Sequence, residues 1–318
     1  METGQDRAAW FRTTFDAVRT EVRKAIVGQD EVLENALIGL ATSGHILLEG
    51  MPGLGKTLLV RSLGQALSLP FGRIQFTPDM MPADVTGTNV LSEGRQFEFR
   101  RGPIFANLLL ADEINRATPK TQSAMLEAMQ ERAVTVGGKR YELTEPFLVL
   151  ATQNPVEQEG TYPLPEAQLD RFFSRLSLGY PDRASEIAVL GARTTDQPLD
   201  ELRSVTDLNA LLAMQEGVRH VFVHDRIREY VVDVVRATRE SNQLLMGASP
   251  RGSLQLMRAA QAWAALQGDD RVLPDHVKAM AGPVLAHRVI GRAELRTQGQ
   301  STEDLVKRLV ESVNAPTT

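Results

Sequence analysis

The chain has 318 residues with 35 basic and 40 acidic side chains, a net charge of −5, and 42% hydrophobic residues. This suits one large or two ordinary globular domains with real cores, and argues against disorder and against the basic footprint of a nucleic-acid binder. Cysteine is absent, so disulfides and thiolate metal sites are excluded. The five histidines, His220 and His224 included, show no ligand spacing.

The N-terminus lacks a signal-peptide core, and no apolar run approaches the length of about 18 residues that a membrane span needs, so a cytoplasmic chain without membrane insertion is expected. Phe11, Phe15, Val18 and Val22 recur at helical spacing, which predicts an amphipathic helix over 7 to 24. Val27-Gly28-Gln29 breaks it, and a second helix starts over Val32 to Leu40.

The apolar run Ile46-Leu47-Leu48 then leads into Gly50-Met51-Pro52-Gly53-Leu54-Gly55-Lys56-Thr57 and a helical Leu58 to Leu63. This strand, glycine-rich turn and helix form a complete phosphate-binding loop. Glycines let backbone N–H groups converge on phosphate oxygens, and the helix adds its positive end. Pro52 stiffens the turn, Lys56 would reach the β- and γ-phosphates, and the Thr57 hydroxyl would take a place on Mg²⁺. A nucleoside triphosphate with Mg²⁺ is therefore the expected ligand.

Short strands are predicted at 73 to 76, 107 to 111, 147 to 151 and 176 to 179. They alternate with helices, as in a parallel sheet covered on both faces. Two hairpins interrupt the rhythm. One runs through Thr88-Asn89-Val90-Leu91, a Ser-Glu-Gly turn and Arg95 to Phe99; the other turns at Gly137-Gly138, between strands 133 to 136 and 139 to 143. Phe97, Phe99 and Tyr141 are candidates for exposed contacts with a partner, with simple packing of the hairpins as the blander role.

The strand ending in Asp112-Glu113 reads as a second nucleotide motif. Asp112 would hold the metal through its water shell, and Glu113 would orient and polarise the attacking water. Asn154 ends the next strand, placed either to bond the γ-phosphate or lytic water or simply to form a turn before Pro155. Arg171 and Arg175 in Asp170-Arg171-Phe172-Phe173-Ser174-Arg175, and Arg251 in Ser249-Pro250-Arg251, are further cations of a kind that can stabilise transition-state charge. Taken singly, each is an ordinary surface arginine.

Tyr180-Pro181-Asp182 marks the expected boundary between an α/β domain over 1–181 and an all-α domain over 182–318. In the latter, Ser249-Pro250 opens a helix through Leu266, another starts near Pro274, and Ser301 caps a last one.

In this order the motifs resemble the AAA+ ATPases. Ala111 to Ala117, Thr152-Gln153-Asn154-Pro155 and Leu164 to Phe172 resemble the MoxR branch, over roughly residues 10 to 312. The resemblance implies a P-loop parallel sheet of the helix-2-insert type with a C-terminal helical lid. It implies Lys56 and Thr57 as the Walker A pair, Asp112 and Glu113 as Walker B, Asn154 as sensor 1 and Arg251 as sensor 2. Arg171 would be the arginine finger, with Arg175, one helical turn on, as an alternative or additional contact. Val27-Gly28-Gln29 would lie near the adenine, and Gly50, Pro52, Gly53, Leu54, Gly55 and Leu58 around the nucleotide. A ring homo-oligomer, usually a hexamer, is implied, with ATP and Mg²⁺ bound between subunits, the finger supplied in trans, and hydrolysis changing the angle between sheet and lid. The implied clients are proteins with von Willebrand factor A domains, in complex maturation or metal or cofactor insertion. A DNA motor and a magnesium-chelatase-like subunit are the competing readings.

Overall fold

The computed structural model describes residues 4–91, 96–154, 160–192, 199–297 and 299–316. Five parallel strands form the central sheet: β1 (Ile46–Gly50), β2 (Phe71–Gln75), β5 (Leu108–Asp112), β8 (Leu148–Gln153) and β9 (Ser174–Leu178). Their spatial order is β2-β5-β8-β1-β9. The chain leaves β1 and returns at the far edge, so β1 borders a topological switch, where α/β sheets bind ligands beyond the carboxyl ends of their strands.

Both faces of the strands are apolar because both are covered. Ile46, Leu48, Leu108, Leu110, Leu148 and Leu150 face one core. The alternating Leu47, Leu109, Ala111, Val149 and Ala151 face another, shared with Met125, Leu126 and Met129 of the helix Pro119–Glu131. The first core continues without a break into the N-terminal helix Gly4–Val22 through Phe11 and Phe15, into the helix Lys56–Ala66 through Leu59 and Leu63, and into the C-terminal helices through Ala259, Leu266 and Val284.

The hairpins are β3 (Gly87–Leu91) with β4 (Phe97–Arg101), and β6 (Ala133–Val136) with β7 (Lys139–Glu142). The second turns through Gly137 and Gly138, both at positive φ (59° and 79°), as a two-residue hairpin loop of the I′ kind requires. At the base of the first, Gly87 and Gly102 let the strands cross: a Cβ on either would sit 2.3 Å from a backbone oxygen of the opposing segment. The predicted Ser92-Glu93-Gly94 turn lies outside the described residues. Phe99 and Tyr141 stack at 4.0 Å between ring centroids and join the two hairpins. Phe97 remains 76% exposed, whereas Phe99 and Tyr141 are partly buried.

Beyond residue 182 the chain is not wholly helical. A short antiparallel pair, β10 (Leu244–Met246) and β11 (Ile290–Gly291), ties the loop after the helix Asp225–Glu240 to the segment after the helix Pro274–Leu285. Two or three residues per strand are too few to leave a periodic signature. Ser301 caps the last helix through Asp304 N, whereas Ser249 caps nothing and instead donates to Asp170 Oδ2 at 3.1 Å.

Candidate nucleotide site

The loop after β1 is shaped by Gly53 (φ 85°) and Gly55 (φ 82°), a backbone region that costs other L-residues about 1–2 kcal/mol. A Cβ at either position would point into open space, so the turn needs glycine for its dihedral angles and not for lack of room. Gly50 differs: a Cβ there would meet Leu178 O at 3.0 Å, so this glycine lets β9 lie close. Gly55 is the N-cap of the helix Lys56–Ala66 and brings no side chain to it, leaving the first-turn N–H groups to an anion. Lys56 Nζ donates to Gly50 O at 2.6 Å. Burial lowers its pKa, while Asp112 and Glu113 counteract that shift and so place the acids beside the loop.

The two acids are held by β8 and β2. Thr152, fully buried, donates through Oγ1 to Asp112 Oδ1 at 2.7 Å and accepts from the Glu113 N–H at 2.8 Å, so one hydroxyl positions both. Asp112 Oδ2 accepts from Arg73 Nη2 at 2.7 Å, and Glu113 Oε2 from Gln75 Nε2 at 2.9 Å and Arg116 Nη1 at 3.2 Å. Glu113 itself adopts a left-handed backbone (φ 56°, ψ 50°), a departure that clusters at functional positions. Thr57 and Asp112 supply hard oxygen donors beside a phosphate-shaped turn, a set that suits Mg²⁺. Asn154 is buried at the end of β8, and its carbonyl accepts from Asn115 Nδ2 at 3.4 Å.

Val27, Gly28 and Gln29 lie against the end of β9. Gln29 Nε2 donates to Gly179 O at 3.2 Å, and a Cβ on Gly28 would strike Ser185 Oγ at 2.5 Å. Pro52 is exposed, and Leu54 and Leu58 pack on the main core.

The arginines go elsewhere. Asp170, beside Arg171, is clamped by Arg288. That guanidinium reaches the Asp170 carboxylate at 2.5 Å and its carbonyl at 2.9 Å, and also bonds Phe172 O and Val284 O. Arg288 is 1% exposed, and burial lowers its pKa despite Asp170. Ser249 bonds the same aspartate, so Arg251, two residues on, sits on the Arg171 side of the molecule, where its charge reaches both Arg288 and His45.

His45 precedes β1, and its carbonyl accepts from Phe173 N just before β9. This is the amino end of the strands, whereas the phosphate loop lies at the carboxyl end, about 16 Å away at ~3.3 Å per residue. Arg251, at the start of the lid helix, therefore stands at the other end of β1 from the phosphate loop of its own chain. Arg175 is likewise not one helical turn beyond Arg171. It lies on β9 opposite Leu47, with Nε 3.7 Å from Glu49 Oε2.

Thr152, Arg73, Gln75 and Arg288 were not singled out from sequence. Only Thr152 left a signal, as a lone hydroxyl closing an apolar strand that must find a partner when buried.

This site and sheet define a P-loop ATPase of the AAA class. The family model described as "ATPase family associated with various cellular activities (AAA)" matches residues 45–174, and the AAA lid domain matches 236–309. The chain is 45% identical to the YeaC protein of Bacillus subtilis over 93% of its own length and 92% of that protein. It is 43% identical to the chaperone MoxR1 of Mycobacterium tuberculosis over 95% and 82%. A crystal structure from Cytophaga hutchinsonii superposes with a TM-score of 0.89 at 41% identity, covering 98% of both chains. The chain belongs to the MoxR family of AAA+ ATPases.

Proposed function

We propose that this chain hydrolyses ATP in a Mg²⁺-dependent manner as one subunit of a ring, with six subunits the expected number, and uses the cycle to remodel protein clients. The observation that carries the ring is the placement of Arg171 and Arg251 at the amino end of the strands, away from the loop of their own chain. There they are poised to serve the nucleotide of a neighbouring copy, with Asp170 and Arg288 fixing the segment that presents them. Arg175, engaged with Glu49, has a lesser part.

When bound, Mg²⁺ supplies neutralisation of phosphate charge, and Thr57 and Asp112 are the residues that would hold it. Lys56 binds the phosphates, Glu113 orients and polarises the attacking water, and Thr152 keeps both acids in register. Asn154 bonds the γ-phosphate or that water, and the neighbour's arginines stabilise transition-state charge. Val27, Gly28 and Gln29 form the wall beside the base.

The relative named as a chaperone supports protein clients. We assign von Willebrand factor A domain proteins as the client class, in complex maturation or metal or cofactor insertion. Tagged Glu113→Gln protein held in Mg-ATP should retain such a client from native lysate, and enrichment of nucleic acid alone would redirect the reading to a DNA motor. Specific ATPase activity should rise with protein concentration; turnover that is independent of concentration in a monomer would sink the ring.

A further inference from the structure

A cavity of about 690 Å³ opens between the turn that precedes β1 and the C-terminal helices, on the amino side of the sheet. Four arginines line it, Arg132, Arg219, Arg228 and Arg258, together with His220, whose Nε2 lies 2.9 Å from Glu216 Oε1; among the described residues no acidic side chain belongs to the lining. In a chain of net charge −5 this is an uneven placement of positive charge.

Three of the arginines lean on carboxylates outside the lining: Arg132 on Glu145 at 2.7 Å, Arg219 on Glu216 at 3.3 Å, and Arg228 on Asp225. These pairs are exposed and worth little. Arg258 has no carboxylate partner among the described residues, and the charges of Arg219 and Arg132 act against it. Like charges held together cost stability unless something of opposite sign shares the space. The polar wall adds Ser43, while Gln261 is fixed by its bond to Val221 O at 2.8 Å. Phe222, 60% exposed, stands at the rim as a flat apolar surface.

We propose that this cavity is a second anion site, taking a compact polyphosphate group such as inorganic tripolyphosphate or the triphosphate of a nucleotide. Guanidinium groups suit phosphate oxygens through paired N–H donors, and the volume lies in the ordinary range of small-ligand sites. The site is separate from the phosphate loop and does not depend on the hydrolytic reading.

The test is calorimetric titration of the full chain carrying Lys56→Ala, which weakens phosphate binding at the loop. Tripolyphosphate should still bind at one site per chain. Adding Arg219→Gln and Arg258→Gln should weaken that binding by about tenfold or more. Without ligand, the same two substitutions should leave the thermal midpoint unchanged or raised, because repulsion is relieved. A non-hydrolysable ATP analogue that binds more tightly than tripolyphosphate, with the excess lost in Phe222→Ala, names a nucleotide as the source; equal affinity names the bare polyanion. No binding in the Lys56→Ala chain, binding indifferent to the two arginine substitutions, or a lowered midpoint in the variant without ligand would each overturn the site.

Discussion

At the carboxyl end of the sheet, Asp112 and Glu113 are held by short bonds from Thr152, Arg73 and Gln75, beside a turn built from left-handed glycines. At the amino end the charged groups are mostly arginines, Arg171, Arg251 and Arg288, on segments tied together where Arg288 and Ser249 bond Asp170. The first end is furnished to position phosphate, metal and water. The second has the groups that stabilise developing negative charge but none of the acids that position water. The contrast is what the proposed ring rests on: the loop end carries the acids and the amino end the arginines, and stacking copies end against end would bring the two sets together.

The largest effect should come from separating the two ends. Arg171→Ala is expected to lower turnover by about 10³-fold or more, the magnitude of a lost arginine finger, while nucleotide binding by equilibrium fluorescence stays near normal. Mixing such subunits with unaltered ones should depress turnover beyond their share of the mixture, and a strictly proportional loss would break the comparison.

Next comes the clamp at the amino end. Arg288→Ala leaves the part-exposed Asp170 carboxylate with Ser249 as its remaining partner and takes a donor from the Phe172 carbonyl, so urea unfolding should show a loss of about 3 kcal/mol or more.

His45 sharpens the same end through pH. It accepts from Val149 N at Nδ1 and lies 3.0 Å from Met129 O at Nε2, which assigns the neutral Nε2–H tautomer. Burial lowers its pKa from 6.5 to about 4. The unfolded chain therefore takes up this proton first, and stability present above pH 6.5 is lost as pH falls toward 4, by about 3 kcal/mol in all. Thermal unfolding against pH should flatten in this window in His45→Gln.

The smallest effect is expected at Thr152. Thr152→Val removes the hydroxyl shared by the two acids and should reduce turnover through a loss of about 1–2 kcal/mol, with Thr152→Ser retaining most of it. Equal loss in both variants would assign the residue to packing.

The carboxyl end was largely legible in sequence because its parts are local. Gly50 to Thr57 and Asp112-Glu113 are contiguous runs whose chemistry follows from spacing, and the strands carrying them fall within a residue or two of the apolar runs that predicted them. The Gly137-Gly138 turn and the Pro250 helix start were equally local.

The amino end was not legible. Arg288 meets Asp170 across 118 residues, and Arg73 meets Asp112 across 39. No periodicity links such positions. The order of motifs along the chain also says nothing about which end of β1 the lid helix approaches, so Arg251 was identified as a residue while its address was not.

The continuous core described for the sheet and the C-terminal helices has a thermodynamic meaning. Phe11 and Phe15 belong to the same cluster as Leu63 and Leu266, so the N-terminal helix is packed into both halves at once. Cutting the chain near residue 181 would bare apolar surface on each fragment, so the two halves are expected to melt as one cooperative unit. In the proposed ring, a change of angle between sheet and lid would therefore have to work against this shared core, whereas contacts between separate copies carry no such cost.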